Sequence, residues 1–201
     1  MGSRTVLRSP VSGEEVARLR AGDVVYLSGL VVTARDAAHR RVVRDGVPPP
    51  VDLRGVAVFH AGPVMVREGG GWRCVSIGPT TSVRMEPYEY EFLERTGARV
   101  VIGKGGMGAR TAEACRRFKA VYTIFPGGCG VLGASAVRGV LGVEWLDLGV
   151  PEALWVLEVE ELGPLIVAID TEGRNLTEEV LASARKAKSR AAEYVLERFK
   201  L

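Results

Sequence analysis

Short β-branched segments alternate with segments of helical periodicity between residues 86 and 148, and this alternation constrains the fold more than any other feature. It predicts helices at residues 86–96, 108–119 and 131–140 and strands at 99–102, 121–125 and 143–148. Further strands are expected at residues 23–32, 56–60, 72–77, 155–159 and 165–170. Such alternation is typical of a sheet with crossover helices, so the sequence predicts an α/β fold whose ligands bind at the carboxyl ends of the strands.

Length and charge narrow the class of protein further. The 201 residues are 47% hydrophobic and 25% charged, which favours one globular domain over residues 1–201 that ends in a charged helix at about 177–199. The net charge of +3 is spread without blocks of one sign, so we expect no nucleic-acid partner. The sequence has no run of about 20 uncharged apolar residues and no apolar signal core near its start. We therefore expect no membrane association and a cytoplasmic protein.

Two segments that follow predicted strands have groups that bind anions. In residues 33–39 (TARDAAH), a strand passes into a helix, where main-chain N–H groups and Arg35 could hold a carboxylate. The alternative is a helix capped by Thr33, with Arg35 and Asp36 as a surface ion pair. Residues 78–85 (GPTTSVRM) combine three consecutive hydroxyls with Arg84. These are more polar groups than a turn with a helix cap needs, so an oxyanion site is favoured there.

A third segment, residues 103–108 (GKGGMG), places Lys104 among glycines that let the backbone approach a ligand closely. It lacks the residue order of a phosphate-binding P-loop, so nucleotide hydrolysis is not favoured. Together, Arg35, Arg84 and Lys104 predict a pocket for a small polyanion, and three cations suit a substrate with two carboxylates. The sequence has no nucleophile signature and no cofactor motif beside them, which indicates half of an active site.

The cysteines Cys74, Cys115 and Cys129 form no CxxC pair, so a zinc site has poor support. Three cysteines are nevertheless the number that holds an iron-sulfur cluster with one open iron. Cys115 lies in a predicted helix one turn before Phe118, which is typical of a buried core thiol, so ordinary thiols are favoured. The loop that contains Cys129, residues 126–130, either forms a wall of the site or packs closely against the start of a helix.

Six motifs, taken together and in order, closely resemble those of one family. They are LSGLVVTARDAAH (27–39), AGP (61–63), GPTTSVRM (78–85), GKGGM (103–107), WLDLGVPEALW (145–155) and GPLIVAID (163–170). The family is the β subunit of class I, iron-sulfur fumarate hydratases. The same pattern occurs in the β subunit of L(+)-tartrate dehydratase and in the C-terminal domain of single-chain class I fumarases. The resemblance extends from about residue 15 to residue 175.

The resemblance implies a swivelling β/β/α layered domain that closes over an α subunit. That partner carries a [4Fe-4S] cluster whose open iron acts as a Lewis acid on the malate hydroxyl, so this chain is expected to bind no metal itself. It further implies that Arg35, Arg84 and Lys104 bind substrate carboxylates. Thr80 matches the hydroxyl that moves the C3 proton of the substrate, as base or as relay, and Thr81 matches a neighbouring substrate contact.

Two further residues are expected to support the site without acting on the substrate. His39 is expected to support Arg35 or the start of the helix, and Asp36, which follows Arg35 in the sequence, is the second supporting residue. The function expected from the resemblance is a hydro-lyase, the β subunit of a two-subunit fumarate hydratase that hydrates fumarate to (S)-malate. Two alternatives remain open: the β subunit of L(+)-tartrate dehydratase, and a noncatalytic module that binds a small anion.

Overall fold

The computed structural model describes residues 5–199, which form nine strands and six α-helices. The strands are β1 (Thr5–Ser9), β2 (Val24–Thr33), β3 (Ala57–Phe59), β4 (Val64–Glu68), β5 (Gly71–Ser76), β6 (Val100–Gly103), β7 (Val121–Ile124), β8 (Val137–Glu144) and β9 (Leu154–Ile169). The helices are α1 (Gly13–Val16), α2 (Asp36–Val43), α3 (Glu86–Thr96), α4 (Ala109–Phe118), α5 (Gly130–Ser135) and α6 (Leu176–Phe199). The predicted α/β class is confirmed.

Seven strands form one sheet in the order β1-β2-β3-β6-β7-β9-β8, and β4 pairs with β5 as a separate hairpin. Strands β1, β2, β3, β6 and β7 are parallel to one another, whereas β9 is antiparallel to β2, β7 and β8. β9 pairs with β7 through residues 166–169 and with β2 through residues 156–166. Strands β2, β3, β6, β7 and β9 therefore form a closed circuit of neighbours.

Alternate residues of the parallel strands face two different hydrophobic cores, because successive side chains of a strand point to opposite faces. Phe59 and Ile102 pack in one core with Trp155 of β9. Their neighbours Val58 and Val101 pack in a second core with the apolar faces of α2, α3 and α4. Burial on both faces explains why β3 and β6 have uninterrupted apolar sequences.

The predicted secondary structure is wrong between residues 131 and 148. The helix expected at 131–140 is limited to α5, and the strand expected at 143–148 is instead β8, followed by a 3₁₀ turn at Leu146–Leu148. Antiparallel pairing of β8 with β9 overrides the weak helical pattern of a segment that contains Gly139 and Gly142. The strands expected at 155–159 and 165–170 are one continuous strand, β9, and the prediction omitted β1 and β4.

Thr33 does not cap the following helix, contrary to one of the two interpretations of its segment. It is the last residue of β2, and its hydroxyl donates to the carbonyl of Ala153 at 3.1 Å and accepts from the main-chain N–H of Trp155 at 3.0 Å. These two hydrogen bonds attach the end of β2 to the start of β9. The residue that precedes α2 is Arg35, in extended conformation, so the turn places Arg35 at the helix start.

The long charged helix α6 is connected by hydrogen bonds to the glycine-rich segment 103–108. The side-chain oxygen of Asn175 accepts from the main-chain N–H groups of Thr177 and Glu178, and its amide donates to the carbonyl of Met107 at 2.9 Å. Within residues 5–199, no helix is long and apolar enough to cross a membrane.

Candidate active site

The candidate site lies at the carboxyl ends of the adjacent parallel strands β2, β3 and β6, which lead directly into Arg35, His60 and Lys104. Residues 78–85 reach the same edge from the β4–β5 hairpin. The main-chain N–H of Thr80 donates to the His60 carbonyl at 2.6 Å, and that of Ser82 donates to the Lys104 carbonyl at 3.1 Å. The three segments that were predicted to bind anions are thus joined at one edge of the sheet.

Arg84 connects two of these segments. Its Nε and Nη2 donate to the two carboxylate oxygens of Asp36 at 3.0 and 3.1 Å, and Nη2 also donates to Thr80 Oγ1 at 2.6 Å. Burial alone would raise the pKa of Asp36, but the hydrogen bonds and charge of Arg84 outweigh it and lower that pKa below its usual value. Asp36 therefore holds the guanidinium against the Thr80 hydroxyl. A cationic donor in this position stabilises a negatively charged form of that oxygen.

Arg35 is held by a residue that the sequence reasoning missed. Its Nη2 lies 3.2 Å from Oε1 of Glu152, and Oε2 of Glu152 accepts the main-chain N–H of Ala37 at 3.0 Å. Glu152 thus supports both the guanidinium and the first turn of α2. The surface ion pair considered for Arg35 and Asp36 is not formed, because each of the two residues pairs with a different partner.

Gly62, in the AGP motif, leaves the space that Arg35 occupies. A methyl group at position 62 would lie 2.7 Å from the carbonyl oxygen of Pro151 and would overlap Nη1 of Arg35. Because the carbonyl belongs to the backbone, it cannot move aside at low cost. The AGP motif therefore packs against Arg35, although the two are far apart in the sequence.

Gly62→Ala is expected to destabilise the chain by about 1 to 3 kcal/mol, since overpacking forces the backbone near Pro151 to shift. Thermal unfolding of the two proteins, followed by circular dichroism, measures the change. Gly142→Ala is the matched control, because a methyl group there meets nothing within 4 Å. Equal unfolding temperatures for the two variants would contradict the packing described for Arg35.

Lys104 presents a cation that pairs with none of the side chains that the structure describes. It lies beside Thr81 in a short parallel bridge, and its stem lies near Gly127. In the part of the chain that the structure describes, its ammonium has no hydrogen bond or ion pair. Thr81 is exposed next to it. This end of the site therefore offers a free positive charge and a hydroxyl to a ligand.

The predicted residues are connected but do not line one cavity. A cleft of about 310 Å³ beside Arg84 is lined by Asp36, Ala37, Arg40, Arg84, Tyr88 and Glu152. Lys104 and Thr81 lie outside this set and are paired with each other in the short bridge. Arg40, Tyr88 and Glu152 were not predicted, although Glu152 lies within the WLDLGVPEALW motif. The predicted site residues and their partners thus lie on an open, charged surface.

A fully buried cluster of His39, His60 and Glu89 lies beneath the anion-binding segments. Oε2 of Glu89 is 3.5 Å from Nε2 of His39 and 3.2 Å from Nε2 of His60. The other ring nitrogens contact the Arg35 carbonyl and the Ser82 hydroxyl, each at 2.9 Å. The predicted position of His39 behind Arg35 agrees with this contact. Among residues 5–199, these three side chains form the one group of three potential metal ligands, within 4.8 Å of one another.

The three cysteines lie in different parts of the fold. Cys74 is buried in the first core and the half-buried Cys129 packs against that core, whereas Cys115 is buried in the second core. Burial raises the pKa of Cys74 to about 11 and that of Cys115 still further, so both thiols keep their protons at neutral pH. Thiolates that hold one cluster converge on it, whereas these three cysteines are divided between two cores.

Known proteins are similar to this chain over most of its length. The profile of the family described as Fumarase C-terminus matches residues 2–180. L(+)-tartrate dehydratase subunit beta of Escherichia coli (strain K12) is 52% identical over 176 residues, which are 88% of each chain. A protein of Methanocaldococcus jannaschii, provisionally named as the same subunit, is 44% identical over 171 residues, or 83% of this chain and 88% of that one. A protein of Geobacillus stearothermophilus, provisionally named fumarate hydratase class I, is 38% identical over 190 residues, or 94% of this chain and 36% of that one.

These similarities define a subunit of a hydro-lyase. The chain belongs to the Fumarase C-terminus family, within the group of β subunits of class I fumarate hydratases and tartrate dehydratases. The resemblance found in the sequence is thereby confirmed.

Proposed function

We propose that this chain is the β subunit of a two-subunit fumarate hydratase that interconverts fumarate and (S)-malate. The observation that carries the proposal is the contact of Arg84 with Thr80, which places a cation on a hydroxyl at the edge of a surface rich in carboxylate-binding groups. Dehydration of (S)-malate removes one C3 proton from a substrate with two carboxylates, so it needs a proton acceptor beside groups that bind carboxylates.

The carboxylates of the substrate bind to Arg35, Arg84 and Lys104. Nε and Nη2 of Arg84 are engaged by Asp36 and Thr80, which leaves Nη1 for the substrate. Each charge-assisted hydrogen bond contributes roughly 1.5 to 3 kcal/mol. Because protein carboxylates hold both guanidinium groups in place, little side-chain entropy is lost when the substrate binds.

Thr80 moves the proton. In the dehydration direction, (S)-malate loses a proton from C3 and hydroxide from C2, which gives fumarate and water. A neutral threonine hydroxyl is a poor base, so Thr80 first gives its hydroxyl proton to solvent water, and the Arg84 cation at 2.6 Å stabilises the oxygen that has lost it. Thr80 then takes the C3 proton or passes it on, and Thr81 is a neighbouring contact of the substrate. Hydration follows the same path in reverse.

The rest of the site belongs to a partner. The cysteines of this chain do not suit a [4Fe-4S] cluster, so we assign the cluster to an α subunit. The anion-binding edge is open in this chain, which agrees with a second subunit that completes it. We further propose that the chain is the swivelling β/β/α domain of the family, closing over the α subunit. These assignments need no membrane or nucleic-acid partner.

A second candidate substrate is L-tartrate. The relatives named L(+)-tartrate dehydratase subunit beta match this chain over 88% of their own length, whereas the fumarate hydratase relative is matched over 36% of its length. Tartrate carries the same two carboxylates and one additional hydroxyl. The hydroxyl of the exposed Thr81, next to Lys104, offers a partner for that group.

Co-expression with an α partner under anoxic conditions tests the substrate. We expect the complex to consume fumarate and (S)-malate with a higher kcat/KM than L-tartrate. A preference for L-tartrate would select the second candidate. A folded, cluster-containing complex that acts on none of the three would contradict the hydro-lyase proposal and leave a noncatalytic anion-binding module.

A further inference from the structure

We propose that His39, His60 and Glu89 form a buried site for one divalent transition metal ion, with zinc as the expected metal. Two imidazole nitrogens and a carboxylate oxygen are a ligand set that zinc takes in proteins. His39 lies on α2, His60 directly follows β3 and Glu89 lies on α3, so the site joins three elements. The ion is separate from the iron-sulfur cluster assigned to the α subunit and does not depend on the proposed function. It departs from the expectation, drawn from the resemblance, that this chain binds no metal.

The ligand atoms are spaced as they are around one tetrahedral ion. Oε2 of Glu89 lies 3.2 Å from Nε2 of His60 and 3.5 Å from Nε2 of His39, and the ligand atoms of the three residues all lie within 4.8 Å of one another. Zinc holds imidazole nitrogens and carboxylate oxygens at about 2.0 to 2.2 Å, so two such ligands at a tetrahedral angle are roughly 3.3 to 3.5 Å apart. Both nitrogen–oxygen separations therefore suit ligands of one ion.

The same polar atoms are buried and have no hydrogen-bond partner among the residues that the structure describes. The three side chains have no exposed surface, and Nε2 of each histidine and both carboxylate oxygens of Glu89 form no hydrogen bond within residues 5–199. Burial without a partner costs free energy, most of all for a carboxylate. The two nitrogens are within ion-pair distance of Oε2, yet neither is aligned for a hydrogen bond to it. Ligands that point at a common ion, and not at one another, have this arrangement.

The outer ring nitrogens contact the kind of group that orients metal-binding histidines. Nδ1 of His39 lies 2.9 Å from the main-chain carbonyl of Arg35, which only accepts, so this nitrogen carries the ring hydrogen. Nδ1 of His60 lies 2.9 Å from the hydroxyl of Ser82, which can accept a hydrogen in the same way. A neutral imidazole with its hydrogen on Nδ1 presents a lone pair on Nε2, the atom that faces Glu89. Histidines that bind a metal commonly donate their other ring N–H to such an acceptor.

Ring packing holds the two imidazoles in place. The ring of His39 stacks on that of Phe92, with 4.0 Å between the centroids and 25° between the planes. The rings of His39 and His60 meet edge to face, with their centroids 5.0 Å apart. Side chains that packing already fixes lose little conformational entropy when a ligand binds. The site is therefore preorganised for an ion.

A proton is the competing occupant, because an imidazolium also compensates the charge of a buried carboxylate. One added proton gives a hydrogen to Nε2 of one histidine and leaves the lone pair of the other facing a carboxylate oxygen. A divalent ion accepts the lone pairs of both nitrogens and of the carboxylate at once, and it supplies the positive charge that Glu89 requires. The metal ion is favoured for this reason.

The second oxygen of Glu89 or a water molecule completes the coordination. Oε1 is buried and without a hydrogen-bond partner, as Oε2 is, and within residues 5–199 no fourth His, Cys, Asp or Glu joins the group. A site without exposed surface is closed to substrate, which is typical of zinc that holds a fold together. The proposed ion thus fixes α2 and α3 to the end of β3, directly behind the contacts with Arg35 and Ser82.

Metal analysis and X-ray absorption of the untagged full chain test the site. We expect about one equivalent of zinc to stay with the chain through purification and dialysis without chelators. Its ligands are expected to be nitrogen and oxygen at about 2.0 to 2.2 Å, with the outer-shell scattering of imidazole rings. Zinc bound by sulfur, at about 2.3 Å, would place the ion on the cysteines and overturn the proposal. One equivalent of iron on the same nitrogen and oxygen ligands would keep the site and overturn the choice of zinc.

Imidazole ¹⁵N spectroscopy distinguishes the metal ion from a proton, because His39 and His60 are the two histidines of the sequence. We expect both rings to carry one hydrogen, on Nδ1, and to have no hydrogen on Nε2. A hydrogen on Nε2 of either ring would put a proton where the ion is proposed and overturn the proposal. So would a folded chain that retains no metal even when zinc is supplied during expression, since a buried ion enters as the chain folds.

Glu89→Gln removes the charged ligand with little change of shape. We expect it to weaken zinc binding on the order of 100-fold or more, because loss of an outer partner of a ligand alone costs about 10- to 100-fold. Competition with a chelator of known affinity measures the change. Glu94→Gln is the matched control, because Glu94 is exposed on the same helix, and it is expected to keep the affinity of the unmodified chain. Equal affinities for the two variants would contradict the site. If Glu89→Gln does not fold, the X-ray absorption spectrum of the unmodified chain still decides.

Discussion

Replacing Thr80 by Val is expected to lower kcat of the complex by about 10² or more, with a much smaller change in KM. The substitution keeps the shape of the side chain and removes the hydroxyl that Arg84 contacts at 2.6 Å. A 10² decrease corresponds to about 2.7 kcal/mol of transition-state stabilisation, which is in the range for loss of a proton-transfer group. Steady-state kinetics with (S)-malate measures both constants.

Thr80→Ser is the matched control for this prediction, because it keeps a hydroxyl at the same position. It is expected to retain much more activity than Thr80→Val. A Thr80→Val complex with normal kcat and raised KM would show that Thr80 is only a binding contact of the substrate.

Arg84→Lys is expected to reduce kcat/KM by about 10² or more, although it conserves the charge. The guanidinium donates at once to both carboxylate oxygens of Asp36 and to Thr80, and one ammonium group cannot reproduce this planar arrangement. The variant loses the contact that supports the Thr80 oxygen and one of the groups that bind the substrate. Steady-state kinetics of the complex and binding of the substrate measure the two losses separately.

Arg18→Lys provides the control, since Arg18 is exposed and lies outside the anion-binding segments. It is expected to leave the kinetics unchanged. An Arg84→Lys complex whose kcat/KM stays within about threefold of the unmodified one, a loss below roughly 0.7 kcal/mol, would contradict the assigned role of Arg84.

The parallel strands and the segments that follow them could be predicted because their signals are local. Residues 100–103 and 121–124 are short apolar runs between helical segments, and this pattern does not depend on which residues pack against them. Because parallel strands end at one edge of a sheet, Arg35 and Lys104, which each follow such a strand, are expected to lie at the same edge. Between residues 131 and 148 the local pattern failed, because pairing with the distant strand β9 decides the structure there.

The partners of the site residues could not be predicted, because they come from distant parts of the chain. Glu152 reaches Arg35 from a segment more than 100 residues away, and Asp36 pairs with Arg84 rather than with its neighbour Arg35. Neither the periodicity nor the composition of the sequence indicates such contacts. They arise from the closed circuit of strands, which brings the start of β9 beside the end of β2.

Glu89 is the residue for which a usable signal was present. It follows Met85 by four positions and precedes Phe92 by three, so it lies on the face of α3 that is otherwise apolar. A carboxylate on such a face requires a buried partner, and the two histidines were the available candidates. The pattern predicts a buried charge, but the sequence alone does not indicate that both histidines surround it.

The most direct test of the central claim is the rate of (S)-malate dehydration by the purified chain, by the α partner and by their mixture, measured anoxically at equal concentrations. Since this chain supplies the anion-binding and proton-transfer half of the site, neither subunit alone is expected to show activity, and mixing is expected to produce it. Malate dehydration by this chain alone, without partner or added metal, would contradict the account.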